Sequence, residues 1–232
     1  MGLMSIGVVN LYRTSIGKKV IMALTGLIGI GFVIVHMYGN LKVFVGAEYF
    51  NHYSEGLREL GAPIFGHTHL LWIFRLVLLA AVLLHAWAAW SLYQESQRAR
   101  AVKYVTYSPV QATAAALYIR VGGVILLIFV ILHLMHFTWG VPGVHPDFSQ
   151  TDVYRNLVVG FQSYGYLPAI LYLVAMTALG FHLYHGTSSL FQTLGVSDRR
   201  ATSLRAVGLL LAIVIAFGFA VVPLAVLFGF LS

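Results

Sequence analysis

Five charge-free apolar stretches organise the chain: Val20–Leu41, Leu76–Gln94, Val121–Pro146, Asn156–Ser197 and Ala206–Ser232. Each is at least as long as the roughly 17–25 residues that a helix needs to cross a bilayer. The pattern predicts helices over 17–39, 69–93, 117–139, 165–191 and 205–231, forming one membrane-anchor domain over 1–232. The fourth stretch has room for two spans. Gly165, Tyr166 and Pro168 read as a helix start, however, and Gly195-Val-Ser197 leads into a basic turn, so one span is assigned. The first apolar run follows Lys18-Lys19 directly and is full length, which reads as a span and not as a cleavable signal segment. The expected fold class is an all-α membrane protein of five transmembrane helices, with a four-helix core and a fifth helix beside it.

Composition sharpens this reading. With 59% hydrophobic and 9% charged residues among 232, the chain is far below the roughly 25% charge of soluble domains. The net charge of +7 is mainly a topology signal. Arg13, Lys18, Lys19, Arg98, Arg100, Lys103, Arg199, Arg200 and Arg205 fall on one side of the predicted bundle, while Lys42, Arg58 and Arg155 fall on the other. By the excess of basic residues in cytoplasmic loops, the N-terminus is expected in the cytoplasm and the C-terminus outside, in a multi-pass protein of the inner membrane. The basic residues are dispersed over three loops, which excludes a nucleic-acid stripe. The absence of cysteine excludes disulfides, iron–sulfur ligation by this chain and c-type haem attachment.

Histidine supplies the candidate chemistry. His36, His85, His133/His136 and His182/His185 lie within four different apolar segments, and an ionisable side chain inside a membrane span marks a functional site by default. With a rise of about 1.5 Å per residue and alternating helix direction, His36 lies about 28 Å and His133 about 22 Å above the cytoplasmic helix starts. His85 and His182 lie about 12 Å and 13 Å from the cytoplasmic ends of theirs. Two depth-matched pairs, His36 with His133 and His85 with His182, suit axial ligation of two stacked b-type haems within a four-helix core. The competing reading is that each histidine bonds a neighbouring helix or lines a cavity. A transporter built on these histidines would want acidic partners at the span centres, and the sequence has none there. His52, His67, His69 and His145 fall in loops or at a helix start and read as interfacial. Arg75 and Arg120 lie near the two levels and are candidate haem-propionate contacts; snorkelling to the interface is the alternative. The glycines Gly26, Gly29, Gly31, Gly122, Gly123 and Gly180 admit a flat macrocycle or, equally, close helix packing.

The run Ser15-Ile-Gly-Lys-Lys19 into Thr25-Gly26, then His36-Met-Tyr-Gly-Asn40, His85-Ala-Trp87, His133-Leu and His182-Leu-Tyr-His-Gly186 ending Phe191-Gln-Thr-Leu-Gly195, resembles the cytochrome b subunit of succinate dehydrogenase/fumarate reductase. The similarity is to the five-helix, di-haem, single-chain form. The resemblance implies a flavoprotein (FAD) subunit and an iron–sulfur subunit docked on the cytoplasmic side, and electron transfer through two b haems to a membrane quinone, with menaquinone expected. It implies no dicarboxylate site on this chain. It also implies ligand pairing of the first helix with the third and the second with the fourth, and selects His133 over His136 and His182 over His185. Ser15 and Lys19 resemble residues flanking a quinone pocket; a helix cap and interfacial anchoring are their structural alternatives. An outer quinone site using loop 40–68 with Glu48, Glu55 or Glu59 is a competing location. Some relatives carry a glutamate in the fourth helix for proton return, and Leu179, Gly180 and Phe181 stand before His182 here. The membrane subunit of a formate dehydrogenase or hydrogenase is the alternative cytochrome, disfavoured by the basic cytoplasmic loops.

Overall fold

The computed structural model describes residues 11–99, 114–193, 195 and 198–232; Arg100 and Lys103 of the basic loop lie outside these, as do the side chains of Arg199 and Arg200. Among the described residues there are six α-helices and no strand. They are α1 (Ser15–Leu41), α2 (Ala47–Arg58), α3 (His69–Arg98), α4 (Ala114–His133), α5 (Val153–Thr193) and α6 (Asp198–Leu227). Five of them contain spans long and apolar enough to cross a membrane: Ser15–Val45, His69–Arg98, Ile119–Thr138, Val153–Thr193 and Ser203–Leu227. The five-span reading of the sequence holds.

Local chemistry sets the helix ends. Thr14 caps α1, its hydroxyl accepting from the Gly17 amide at 3.0 Å. A 3-10 turn over Lys42–Val45 closes the span, and Gly46 at φ 122° takes a conformation that other residues avoid. α5 begins at Val153, twelve residues before the predicted start at 165, because a short helix precedes the span. Ser163 leaves the helix at ψ 155°, and Tyr164, Gly165 and Tyr166 all have positive φ. Residues with a Cβ rarely adopt that region, so the chain breaks here and resumes as the fourth span. The Tyr164 hydroxyl donates to the Gly143 carbonyl at 2.8 Å and ties the break to the preceding loop. α6 stops at Leu227 and not at 231, turned by Gly229 at φ 75°.

The packing is uneven. α5 packs along α6, α3 along α1, and α4 along α5, while α1 also touches α5 and α6. A buried cluster of Val43, Phe50, Leu157, Phe161, Val222 and Val226 closes the end of the bundle where α2 and the 139–152 loop lie. Here this is called the capped end; the end with Ser15 and Arg98 is the basic end. The two helix pairs expected to share ligands, α1 with α4 and α3 with α5, are not among those that pack along their lengths.

Candidate functional site

The structure brings the four histidines together as the sequence predicts. At the capped level His36 of α1 faces His133 of α4, with ring centroids 5.8 Å apart and planes at 80°. At the basic-end level His85 of α3 faces His182 of α5, with centroids 6.0 Å apart and planes at 58°. A metal–imidazole bond is about 2 Å long, so two rings held across one metal ion have centroids about 6 Å apart. Both pairs meet that spacing. The facing rings span the two gaps between helices that do not pack on each other.

The basic-end level is lined by small residues. A Cβ added at Gly26 would meet His85 Cε1 at 3.6 Å, and one added at Gly123 would meet His182 Cε1 at 3.9 Å. Each ring thus looks across at a glycine of another helix. Thr25 Oγ1 lies 3.1 Å from His85 Nδ1, while His182 Nδ1 is buried without a hydrogen bond. His185 is half-buried.

The capped level is crowded and aromatic. Phe32 stacks on His36 at 5.1 Å, and Phe219 and Phe129 flank the pair. Tyr172 Oη reaches His133 Nδ1 at 3.1 Å and His136 Nδ1 at 3.2 Å. His136 departs from His133 because residues Leu134–Thr138 form a π-turn, which inserts extra length and rotates the side chain away from the pair. It sits instead beside His145, with centroids 5.3 Å apart. His145 was expected at the interface and is only 2% exposed. The 139–152 loop folds under the cap, where His145 Nε2 donates to the Asn156 carbonyl at 2.9 Å. The Asn156 side chain in turn bonds both the amide (2.8 Å) and the carbonyl (2.6 Å) of Ser149. Asn51 of α2 closes the cap, donating to Asp152 at 3.0 Å and accepting from the Tyr154 amide at 2.9 Å. Asp152 is held below the usual carboxylate range by the Arg155 amide and then by Asn51. Asp147 is lowered by its bond with Arg155, and Glu55 by Arg58 and then His67. Tyr172, Asn156 and the buried role of His145 were missed in the sequence. A Tyr in the fourth apolar stretch carries no signal of its own, and the loop's return under the cap is a tertiary event.

The remaining predicted residues divide. Ser15 donates to Glu95 Oε2 at 2.7 Å across to the end of α3. The cation beside it is Lys18, which is 8% exposed and paired with Glu95, whereas Lys19 faces outward. One residue along a helix turns a side chain by about 100°, and that rotation separates the two lysines. Arg75 and Arg120 are both exposed. Arg75 lies over the Trp72 ring at 5.0 Å and Arg120 over the Tyr93 ring at 4.7 Å, each exposed and without an ion pair among the described residues.

Residues 94–221 match the family model described as succinate dehydrogenase/fumarate reductase transmembrane subunit, and this is more than half of the chain. The chain belongs to that family. The match runs from the end of α3 into α6, so it contains His133 and His182 and excludes His36 and His85. Comparison with curated proteins and with solved structures gives no match. Membership makes the chain a membrane-anchor subunit of a succinate dehydrogenase/fumarate reductase complex and a multi-pass membrane protein. Among the described residues no group of three or more His, Cys, Asp or Glu is arranged to hold a metal ion. The protein offers imidazoles in twos.

Proposed function

We propose that this family member is a di-haem cytochrome b anchor, with the iron of one b haem held by His36 and His133 and that of the other by His85 and His182. The observation that carries the reading is the pair of two-imidazole sites. A metal bound by only two protein ligands needs its remaining positions filled by a group that comes with it, and a haem macrocycle supplies four. The gaps between α1 and α4 and between α3 and α5, together with the glycines facing His85 and His182, support room for such a group.

When bound, haem supplies one-electron transfer. The chain's part is to ligate, to fix the spacing of the two centres, and to exclude water so that the surroundings tune the potentials. Arg75 and Arg120, exposed and without a carboxylate partner among the described residues, are available to the propionates. Ser15 and Lys19, one turn apart and both exposed, are assigned to the quinone, whose carbonyl a hydroxyl and a cation can bond. The N-terminus lies in the cytoplasm and the basic end faces the flavoprotein (FAD) and iron–sulfur subunits, in the inner membrane. Electrons pass between the iron–sulfur subunit and menaquinone.

The test is a pyridine haemochrome assay with a reduced-minus-oxidised spectrum on the purified chain and on His36→Ala and His85→Ala. Two b haems per chain are expected, each variant losing a different one. A folded chain without haem overturns the reading.

A further inference from the structure

The two facing pairs share an asymmetry that ligation does not require. In each pair one imidazole is held through Nδ1 by a hydroxyl from another helix, and the other has no such bond. Thr25 Oγ1 lies 2.7 Å from the Ile21 carbonyl and 3.1 Å from His85 Nδ1. A threonine hydroxyl has one proton. With that proton given to Ile21, the oxygen accepts, and His85 carries its proton on Nδ1 with a lone pair left on Nε2. Its partner His182 has a buried Nδ1 that bonds nothing among the described residues.

At the capped level one hydroxyl serves two rings. Tyr172 Oη is 3.1 Å from His133 Nδ1 and 3.2 Å from His136 Nδ1, and it too has a single proton. The order that leaves a lone pair on His133 Nε2 runs from His133 Nδ1–H to the Tyr172 oxygen, and from the Tyr172 O–H to His136 Nδ1. Facing His133, the ring of His36 lies among Phe32 and Phe219, and no hydrogen bond reaches it among the described residues.

We infer that Thr25 and Tyr172 are positioning residues, each holding the Nδ1–H tautomer of one ring, so that each site combines an anchored imidazole with a free one. This rests on the ligand assignment proposed above. An imidazole that donates its second N–H to an acceptor is the more basic ligand, and a more basic ligand favours oxidised iron. Removal of the acceptor therefore raises the potential of that site alone.

The test uses the haem-loaded chain with Thr25→Val, Tyr172→Phe and the hydroxyl-restoring Thr25→Ser, read by redox titration and by 15N NMR of labelled histidine in the reduced, diamagnetic state. The expected result is an upward shift of one reduction wave in Thr25→Val and of the other in Tyr172→Phe, with Thr25→Ser close to the parent. Two haems with unmoved waves in both variants overturn the inference while leaving the di-haem reading intact. If the parent chain carries no haem, that reading fails, and the 15N spectrum decides the inference by itself. Loss of the Nδ1–H signature of His85 in Thr25→Val and of His133 in Tyr172→Phe supports it, and unchanged tautomers overturn it.

Discussion

The two histidine levels use the same pair of side chains in opposite surroundings. Around His36 and His133 the space is filled by Phe32, Phe129, Phe219 and Tyr172, and a hydrogen-bonded cap of Asn156, His145 and Asn51 lies beyond. Around His85 and His182 the neighbours are Thr25, Gly26 and Gly123, and the Lys18–Glu95 ion pair lies beyond at the basic end. Equal ligands in unequal environments give unequal electrostatics, because burial and hydrogen bonding set the potential of a metal site as much as ligand identity does. The contrast also separates stability from chemistry. The capped level is filled by aromatic rings, while the basic-end level is lined by a threonine and two glycines.

Substitutions that probe this contrast differ in size. The largest effect is expected at Gly160, where an added Cβ would meet His136 Nε2 and Phe137 Cε1 at 2.9 Å and His145 Nε2 at 3.0 Å. Gly160→Val therefore costs about 3 kcal/mol through overpacking, measured by thermal unfolding in detergent, with the His36/His133 site damaged first. A variant as stable as the parent would show that the capped level is not crowded. Asn156→Ala removes both bonds to Ser149 and costs about 2 kcal/mol, seen as faster hydrogen exchange over residues 145–156.

Acid should act on the same end. Asp147, Asp152 and Glu55 all have depressed folded-state pKa values. Their contribution is present above the unfolded-state value and is lost as pH falls through the lower folded one. The cap loosens below about pH 4, seen as faster hydrogen exchange over residues 147–156, and unchanged exchange there would show that these carboxylates do not hold it. The smallest effect is expected at Gly123→Ala, where the nearest atom is His182 Cε1 at 3.9 Å. Fold stability rises by about 0.5–1 kcal/mol from the helix-interior glycine replaced. Haem content at the His85/His182 site, assayed on the same sample, then reports whether that level tolerates an extra methyl.

Much of this was legible before any coordinates. Five apolar stretches gave five spans because the bilayer fixes a minimum length, and the pairing of His36 with His133 and His85 with His182 followed from helical rise and alternating direction. Helix ends were less legible. The break at Tyr164–Tyr166 was sensed through Gly165 and Pro168, but the helix from Val153 before it was not, since an apolar run does not say where it bends. That Lys18, and not Lys19, pairs with Glu95 was illegible for a related reason. Adjacent residues have the same composition signal and differ only in the direction they face, which depends on where α3 brings Glu95.

By itself the sequence determined a helical membrane anchor with histidines at two depths, because hydropathy, charge asymmetry and helical rise are properties of the chain taken one segment at a time. Only the tertiary structure decided which ring faces which, that a π-turn swings His136 from His133 toward His145, and that Thr25 and Tyr172 stand behind the paired histidines. Those outcomes depend on rotation about helix axes and on the return of a loop. Both are fixed by contacts between segments far apart in sequence, and no single segment encodes them.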